Sequence, residues 1–389
     1  MKILYVDYNM FDKLDIIDAF RFLGHDVVET DIPIRCNKDP KLIRERMYDF
    51  LDENSFDIVF TSNFFTVISE VCQHYNTVYL SWTYDSPSVQ LYEKEIMNPC
   101  NYIFSFDSSE CRRLRSKGIN NVFYMPLGTN VERLDNISIA DSDVEKYASQ
   151  LSMVASLYDE AHNFYDRMYP NLNGYTKGYL SGLLNSQLNL VTANILEESL
   201  NDSKILADMI HALPYNISYG SLIDYKYIYG EVVLARKVAS LQRRMFIEEL
   251  SKYFQFKVYT PGYIEDIPNV IDMGVVNHLE DVHKVYRLSK INLNITIPSI
   301  KSGIPLRALN IMGAGGFLLT NYQSDFDDFF EQGIDYVCYS SLEEAKSLVD
   351  YYLNHDEERK EIAMNGYRKV KECFTYRQMV EEIMTYFGG

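Results

Sequence analysis

Cysteine is sparse and unpatterned in this 389-residue chain: Cys36, Cys72, Cys100, Cys111, Cys338 and Cys373 stand apart, with no CxxC. They read as reduced, mostly buried thiols of a cytoplasmic protein. Long apolar runs are missing too, since no window approaches 18 uninterrupted apolar residues, which excludes a membrane-spanning helix. Basic residues are outnumbered 37 to 55, for a net charge of -18. That surplus repels a phosphate backbone, so neither nucleic acid nor an anionic membrane surface is an expected partner. The opening MKILYVDYNMFD has Lys2 as its one basic residue and Asp7 breaking its apolar run, so it reads as a first strand rather than a secretion signal. The 7 histidines include no HExxH, and His278 and His283 stand five apart, the wrong spacing for one helical face, so no metal is expected. There is no GxSxG elbow, and the lack of GxxxxGK[ST] excludes a P-loop phosphotransferase.

What the chain does have is alternation. At about 150 residues per domain the length suggests two or three domains with a sizeable core. Short apolar runs alternate with amphipathic stretches, the pattern of βαβ units around parallel sheets. Strands are expected at 3–7, 26–29, 57–62, 77–82, 102–106 and 122–125, giving a doubly wound first domain over 1–130. Residues 131–150, polar and acidic, read as a linker; Asp141-Ser142-Asp143 lies there, not after a strand, and reads as a solvated run. A second domain, 151–375, starts with a strand at LSMVASLY, carries a helical insertion over about 160–253, and resumes strands at 256–260, 269–272, 290–296, 316–320 and 336–339. The expected class is α/β, with two Rossmann-like domains facing a cleft and their chemistry at strand ends, where Tyr8-Asn9, Asn63, Asp107 and Ser156 to Tyr158 lie.

The most informative stretch is 291–326, a strand, loop, helix and strand. Ser302 and Gly303 precede Pro305, expected at the first helical position, so free N–H groups point into the cleft beside Arg307. A diphosphate site there competes with an ordinary helix start whose arginine reaches solvent. Gly313-Ala314-Gly315-Gly316 follows the helix, so it reads as a C-cap and tight turn, not a phosphate loop. Arg236, Lys237, Arg243 and Arg244 form a second basic cluster, either facing an anion or forming a solvated helix face. In the first domain the single tryptophan, Trp82, and Tyr84 offer faces that could pack on sugar rings, with Asp85 as a general base; the alternative is a buried Trp82 with Asp85 in an Asx turn before Pro87.

The motifs YLSWTYDSP (79–87), MPLGTN (125–130), SLYDE (156–160), KINLNIT (290–296) and SGIPLRALNIMGAGGFLLTNY (302–322) together resemble the CgeB-like glycosyltransferases with a DUF3880-type N-terminal region, over nearly the whole chain. The resemblance implies the GT-B fold, with an acceptor domain first, a nucleotide-sugar domain second, and a C-terminal helix at 376–389 crossing back. It implies a hexosyltransferase that moves a sugar from a nucleoside diphosphate, UDP by preference, to a hydroxyl of a protein, polysaccharide or other acceptor without a metal. Ser302, Gly303, Ile304 and Arg307 would hold the diphosphate, Asn310 the ribose, Thr260 and Gly262 the base, and Arg243 the donor's charge. Arg307, Arg243 and Asp85 would be catalytic, and Trp82, Tyr84, Asp85 and Asp107 would meet the acceptor. Many relatives place two glutamates eight apart here; this chain has Ser302 and Asn310. A catalytically weak GT-B-like binding or stabilising subunit is therefore the alternative, with a nucleotide-sugar epimerase of the same fold as a third reading. The sequence allows a homo-oligomer without requiring one.

Overall fold

In a computed structural model, which describes residues 1–8, 10–30, 40–160 and 163–387, the chain forms two parallel six-stranded sheets. Asn9, Cys36 and the last two residues lie outside the described residues. The first sheet comprises β1 (Lys2–Val6), β2 (Asp26–Thr30), β3 (Ile58–Ser62), β4 (Val78–Thr83), β5 (Asn101–Ser105) and β6 (Val122–Tyr124), in the order β2-β1-β3-β4-β5-β6. Its helices are α1 (Lys13–Phe22), α2 (Pro40–Glu53), α3 (Thr66–Tyr75) and α4 (Ser108–Ser116). Next come α5 (Val131–Asp135) and α6 (Asp141–Tyr147).

The second sheet begins with β7 (Ser149–Val154) and continues, after five helices, with β8 (Phe256–Tyr259), β9 (Val270–Asp272), β10 (Ser289–Asn294), β11 (Leu318–Asn321) and β12 (Val337–Tyr339). Its order is β12-β11-β10-β7-β8-β9. The intervening helices are α7 (Phe164–Met168), α8 (Gly174–Leu188), α9 (Ser203–Ala212), α10 (Tyr225–Tyr227) and α11 (Ala235–Leu250), with a π-helical stretch, Ile228–Leu234, leading into α11. The chain finishes with α12 (Val282–Leu288), α13 (Leu306–Gly313), α14 (Leu342–Asn354), α15 (Asp356–Cys373) and α16 (Tyr376–Thr385).

Helices on both faces bury the strands from two sides, which is why residues 3–6 of β1 and 58–60 of β3 are unbroken apolar runs. Each core side chain so buried contributes about 1.5–3 kcal/mol. In the first sheet β1 lies between β2 and β3, and in the second β7 lies between β8 and β10. Connections therefore leave in opposite directions at β1 and at β7, opening a crevice at the carboxyl ends of each sheet.

Residues 131–147 are not a slack tether. Arg133 of α5 pairs with Asp15 of α1 at 2.7 Å, and Asp143 pairs with Lys284 of α12 at 3.0 Å while accepting from the Ala140 amide; the Asp141-Ser142-Asp143 run opens α6, with Asp141 and Ser142 exposed to solvent as expected and Asp143 engaged. The helical segment between β7 and β8 also reaches the first sheet. Ile217, Leu222, Ile223, Tyr227 and Ile228 pack into the apolar cluster under α2 and α3, Arg113 and Glu197 form a bidentate pair at 2.6 and 2.7 Å, and the Leu222 amide donates to Tyr92 O. At the other end, Thr375 and Gln378 form a capping box on α16, whose Met379, Val380 and Ile383 join the cluster of Ile16, Ile17 and Phe20 on α1. Among the described residues no helix is long and apolar enough to cross a membrane. The five described cysteines are free; Cys373 is exposed.

Candidate active site

The end of α13 shows how local sequence fixes the second crevice. Gly315 takes φ +80°, its amide donates to Met312 O, and the Gly316 amide donates to Ile311 O, which is a Schellman termination. A side chain at 316 would strike Tyr286 O at 2.5 Å, so only glycine lets α13 turn directly into β11. At the helix's other end Pro305 is the N-cap residue, with ψ 143°, rather than the first helical position expected for it. Arg307, one residue into the helix, donates from Nη1 to Asn294 Oδ1 at 2.9 Å. Asn294 is buried at the end of β10, where its amide donates to Thr320 Oγ1 at 2.9 Å and its carbonyl accepts from Tyr339.

Arg243 spans the crevice itself. It is buried on α11, donates to Ser156 O beyond β7 and to Ile295 O beyond β10 (2.8 Å), and lies 4.7 Å over the Tyr158 ring. Tyr158 holds a left-handed backbone, φ 54°, and carries Arg236 at 4.7 Å as well. Burial lowers the Arg243 pKa; Tyr158 opposes that, and the like charge of Arg307 adds to it. Among the described residues neither Arg243 nor Arg307 is ion-paired with a carboxylate, whereas Arg236, Lys237 and Arg244 are paired with Glu160, Asp166 and Asp266. One of these two guanidiniums at a sheet switch point is buried and neither has a carboxylate counter-ion among the described residues, a chemistry suited to a doubly charged anion.

Other expected donor contacts are placed differently. Ser302 is buried and donates to Asp107 Oδ1 at 2.7 Å, while a side chain on Gly303 would meet Phe106 O at 2.7 Å, so this turn faces the first domain instead of open cleft. Ile304 is buried in the core cluster, leaving only its backbone for a ligand. Asn310 accepts at 2.7 Å from Thr129 Oγ1, in the segment joining the sheets. Thr260 is buried and accepts from the Gly262 amide at 3.0 Å; Asp159 closes that turn, accepting from the Tyr263 amide at 3.1 Å.

On the first-domain side, Trp82 offers no platform. It is wholly buried, its Nε1 directed at Met125 O at 3.4 Å and its ring edge-on to Tyr84 and Tyr376. Tyr84 is half-buried against the same cluster, and burial raises its pKa well above the ordinary tyrosine value. Asp107 is buried as the cap of α4. Asp85, by contrast, is exposed and forms a polar cluster at the ends of β1, β3 and β4: it accepts from Tyr8 at 3.0 Å and from Asn63 Nδ2 at 2.7 Å. Asn63, at φ 71°, also accepts from the amides of Tyr84 and Asp85. Facing across, Ser86 and Ser299 exchange hydroxyl-to-carbonyl hydrogen bonds at 3.0 and 3.2 Å, and Phe11 stacks on His278 at 4.6 Å. Sequence reasoning passed over Lys301, Glu231, Asp325 and the His278 stack, because each acts on a residue far along the chain. Among the described residues no group of three or more His, Cys, Asp and Glu side chains is arranged to hold a metal ion.

The sequence model of the glycosyl transferase-like family matches residues 236–385, which include Arg243 and Arg307. The whole fold resembles that of Anabaena Alr3699/HepE in complex with UDP-glucose (TM-score 0.54, 10% identity, covering 100% of this chain and 99% of that one). It also resembles sucrose-phosphate synthase from Thermosynechococcus elongatus (0.54, 9%, 100% and 98%) and a glycosyltransferase from Rickettsia africae (0.52, 11%, 99% and 97%). The chain has the GT-B fold, and its C-terminal part is similar in sequence to the glycosyl transferase-like family. No curated protein matches it in sequence.

Proposed function

We propose that the protein transfers a hexosyl group from a nucleoside-diphosphate sugar, UDP-linked by preference, to an acceptor hydroxyl, without a metal, as a CgeB-like member of the GT-B transferases. The observation that carries this is the Arg243–Arg307 pair at the switch point of the second sheet, held by Ser156 O, Ile295 O and Asn294. As the anomeric C–O bond breaks, its electrons pass to the departing diphosphate. Fixed positive groups aimed at that charge stabilise it without reorganisation, a role that a metal ion fills elsewhere. If configuration inverts, Asp85, which accepts hydrogen bonds from Tyr8 and Asn63, would take the acceptor's hydroxyl proton. The UDP-glucose complex of Alr3699/HepE and the family match over residues 236–385, which carry both arginines, support a nucleotide sugar as donor. The test is nucleoside diphosphate release from a panel of UDP-, GDP- and dTDP-sugars, with product analysis to separate transfer from epimerisation. A binding subunit is the second reading, favoured by the way the Ser302 turn is already filled by Asp107. Such a protein keeps its function in Arg307→Ala.

A further inference from the structure

Asp107 does more than cap α4. Its Oδ1 accepts from the Ser109 and Glu110 amides at 2.9 and 3.3 Å, which is the cap proper, and also from the Ser302 hydroxyl at 2.7 Å. Its Oδ2 serves the other domain: it accepts from the amides of Lys301 at 2.7 Å and Ser302 at 3.4 Å. A serine caps a helix about as well as an aspartate, so capping does not account for the second oxygen. The same junction is closed by Asp325, which follows β11, accepts from the Ser108 amide at 3.0 Å and from its hydroxyl, and donates its own amide to Ser302 O. From the opposite side Lys301 reaches Glu231, buried in the π-helical stretch, which also accepts from Asn194 Nδ2 at 2.9 Å. The turn 301–303, which leads through Pro305 into the first turn of α13 and Arg307, is thus gripped by the first domain and by the helical segment together.

Resting on the donor-site reading above, we propose that Asp107 is a positioning residue for the donor. Its carboxylate sets the conformation of the 301–303 turn only while the two domains are together, and so couples the closed cleft to the placement of Arg307. In this role Asp107 touches neither the donor nor the acceptor. It also supplies, from the first domain, the anionic support for the Ser302 turn.

The experiment compares wild type, Asp107→Ser and Asp107→Asn. The serine keeps a cap on α4 but is too short to reach across the cleft, and the asparagine keeps two acceptor lone pairs on one atom. Amide hydrogen exchange at Lys301 and Ser302 is expected to speed up about tenfold or more in Asp107→Ser, the scale of losing a hydrogen bond to a charged group. UDP affinity and donor KM should weaken by about the same factor with acceptor KM unchanged, and Asp107→Asn should recover part of both. Asp107→Ser combined with Ser302→Ala should be no worse than Asp107→Ser alone, because the two residues act as a unit. Unchanged exchange at 301 and 302, or faster exchange with UDP affinity within about twofold of wild type, overturns the proposal. If the wild type binds none of UDP, GDP or dTDP, the donor-site reading itself fails, and with it the donor role of Asp107. The exchange comparison then decides only whether the clamp exists.

Discussion

The carboxylate of Asp107 and the hydroxyl of Ser302 lie 2.7 Å apart although 195 residues separate them in the chain. One caps the helix after β5, the other lies in the turn before α13, so this hydrogen bond joins the carboxyl ends of both sheets. With the Ser86–Ser299 exchange and the Arg113–Glu197 pair, it makes the two domains meet through polar contacts that span the cleft. A hinge at residues 131–150 alone therefore cannot open the molecule; these contacts have to break as well.

Gly303 reports on that contact by steric means. A methyl group there would lie 2.7 Å from Phe106 O and 3.0 Å from Asp107 Cα, both backbone atoms with little freedom to retreat. Gly303→Ala is expected to lower stability by about 1–3 kcal/mol in denaturant titration and to loosen the exchange protection of 301–303. Wild-type stability in this variant would mean that the junction is softer than its distances indicate.

Arg243 cannot be exchanged for lysine without loss. Its planar fork feeds two carbonyls on either side of the crevice, whereas an ammonium group satisfies that geometry poorly. Arg243→Lys should weaken nucleoside diphosphate binding by about tenfold or more, measured calorimetrically, with little change in secondary structure. Equal affinity would remove Arg243 from the donor site.

Glu110 gives the fold a pH signature. Burial, as the largest influence, raises its pKa to about 7, with Tyr92 donating to it and Arg113 nearby as opposing influences. Its folded-state pKa lies above the unfolded value of about 4.3, so between those values the native state holds a proton that the unfolded state has lost. Stability from this group is therefore present at low pH and declines as pH rises from about 4.3 to about 7, by about 4 kcal/mol at most. Glu110→Gln should flatten that decline and be the more stable protein at pH 8, as read from denaturant midpoints at pH 5, 6, 7 and 8. Parallel pH profiles for the two proteins would contradict it.

Asp85 separates chemistry from binding. If it takes the acceptor proton, Asp85→Asn should cut transfer by about a hundredfold or more while donor affinity holds. An unchanged transfer rate would assign the Tyr8–Asn63–Asp85 cluster to acceptor positioning or to a retaining reaction that needs no enzymic base.

Much of this was legible in the sequence, and the rest was hidden for physical reasons. Alternating apolar runs announced two parallel sheets, because buried parallel strands must be apolar on both faces. The Gly315-Gly316 turn and the place of Arg307 at the start of α13 were readable because caps are local. Trp82 was not: an aromatic residue at a strand end serves equally as a core anchor or a sugar platform, and only the packing of Tyr84 and Tyr376 around it decides. The 301–303 turn looked like open phosphate-binding backbone because its partners, Asp107 and Asp325, come from distant segments. The attachment of the helical segment to the first sheet was hidden in the same way, since an amphipathic helix shows that it has a partner but not which one.

The most direct test is to incubate wild type and Arg307→Ala with UDP-, GDP- and dTDP-sugars and measure nucleoside diphosphate release alongside nucleotide binding. The account predicts release from one donor class by the wild type and its loss, with weakened binding, in Arg307→Ala. Absence of both binding and release in the wild type, or equal release by the two proteins, would contradict it.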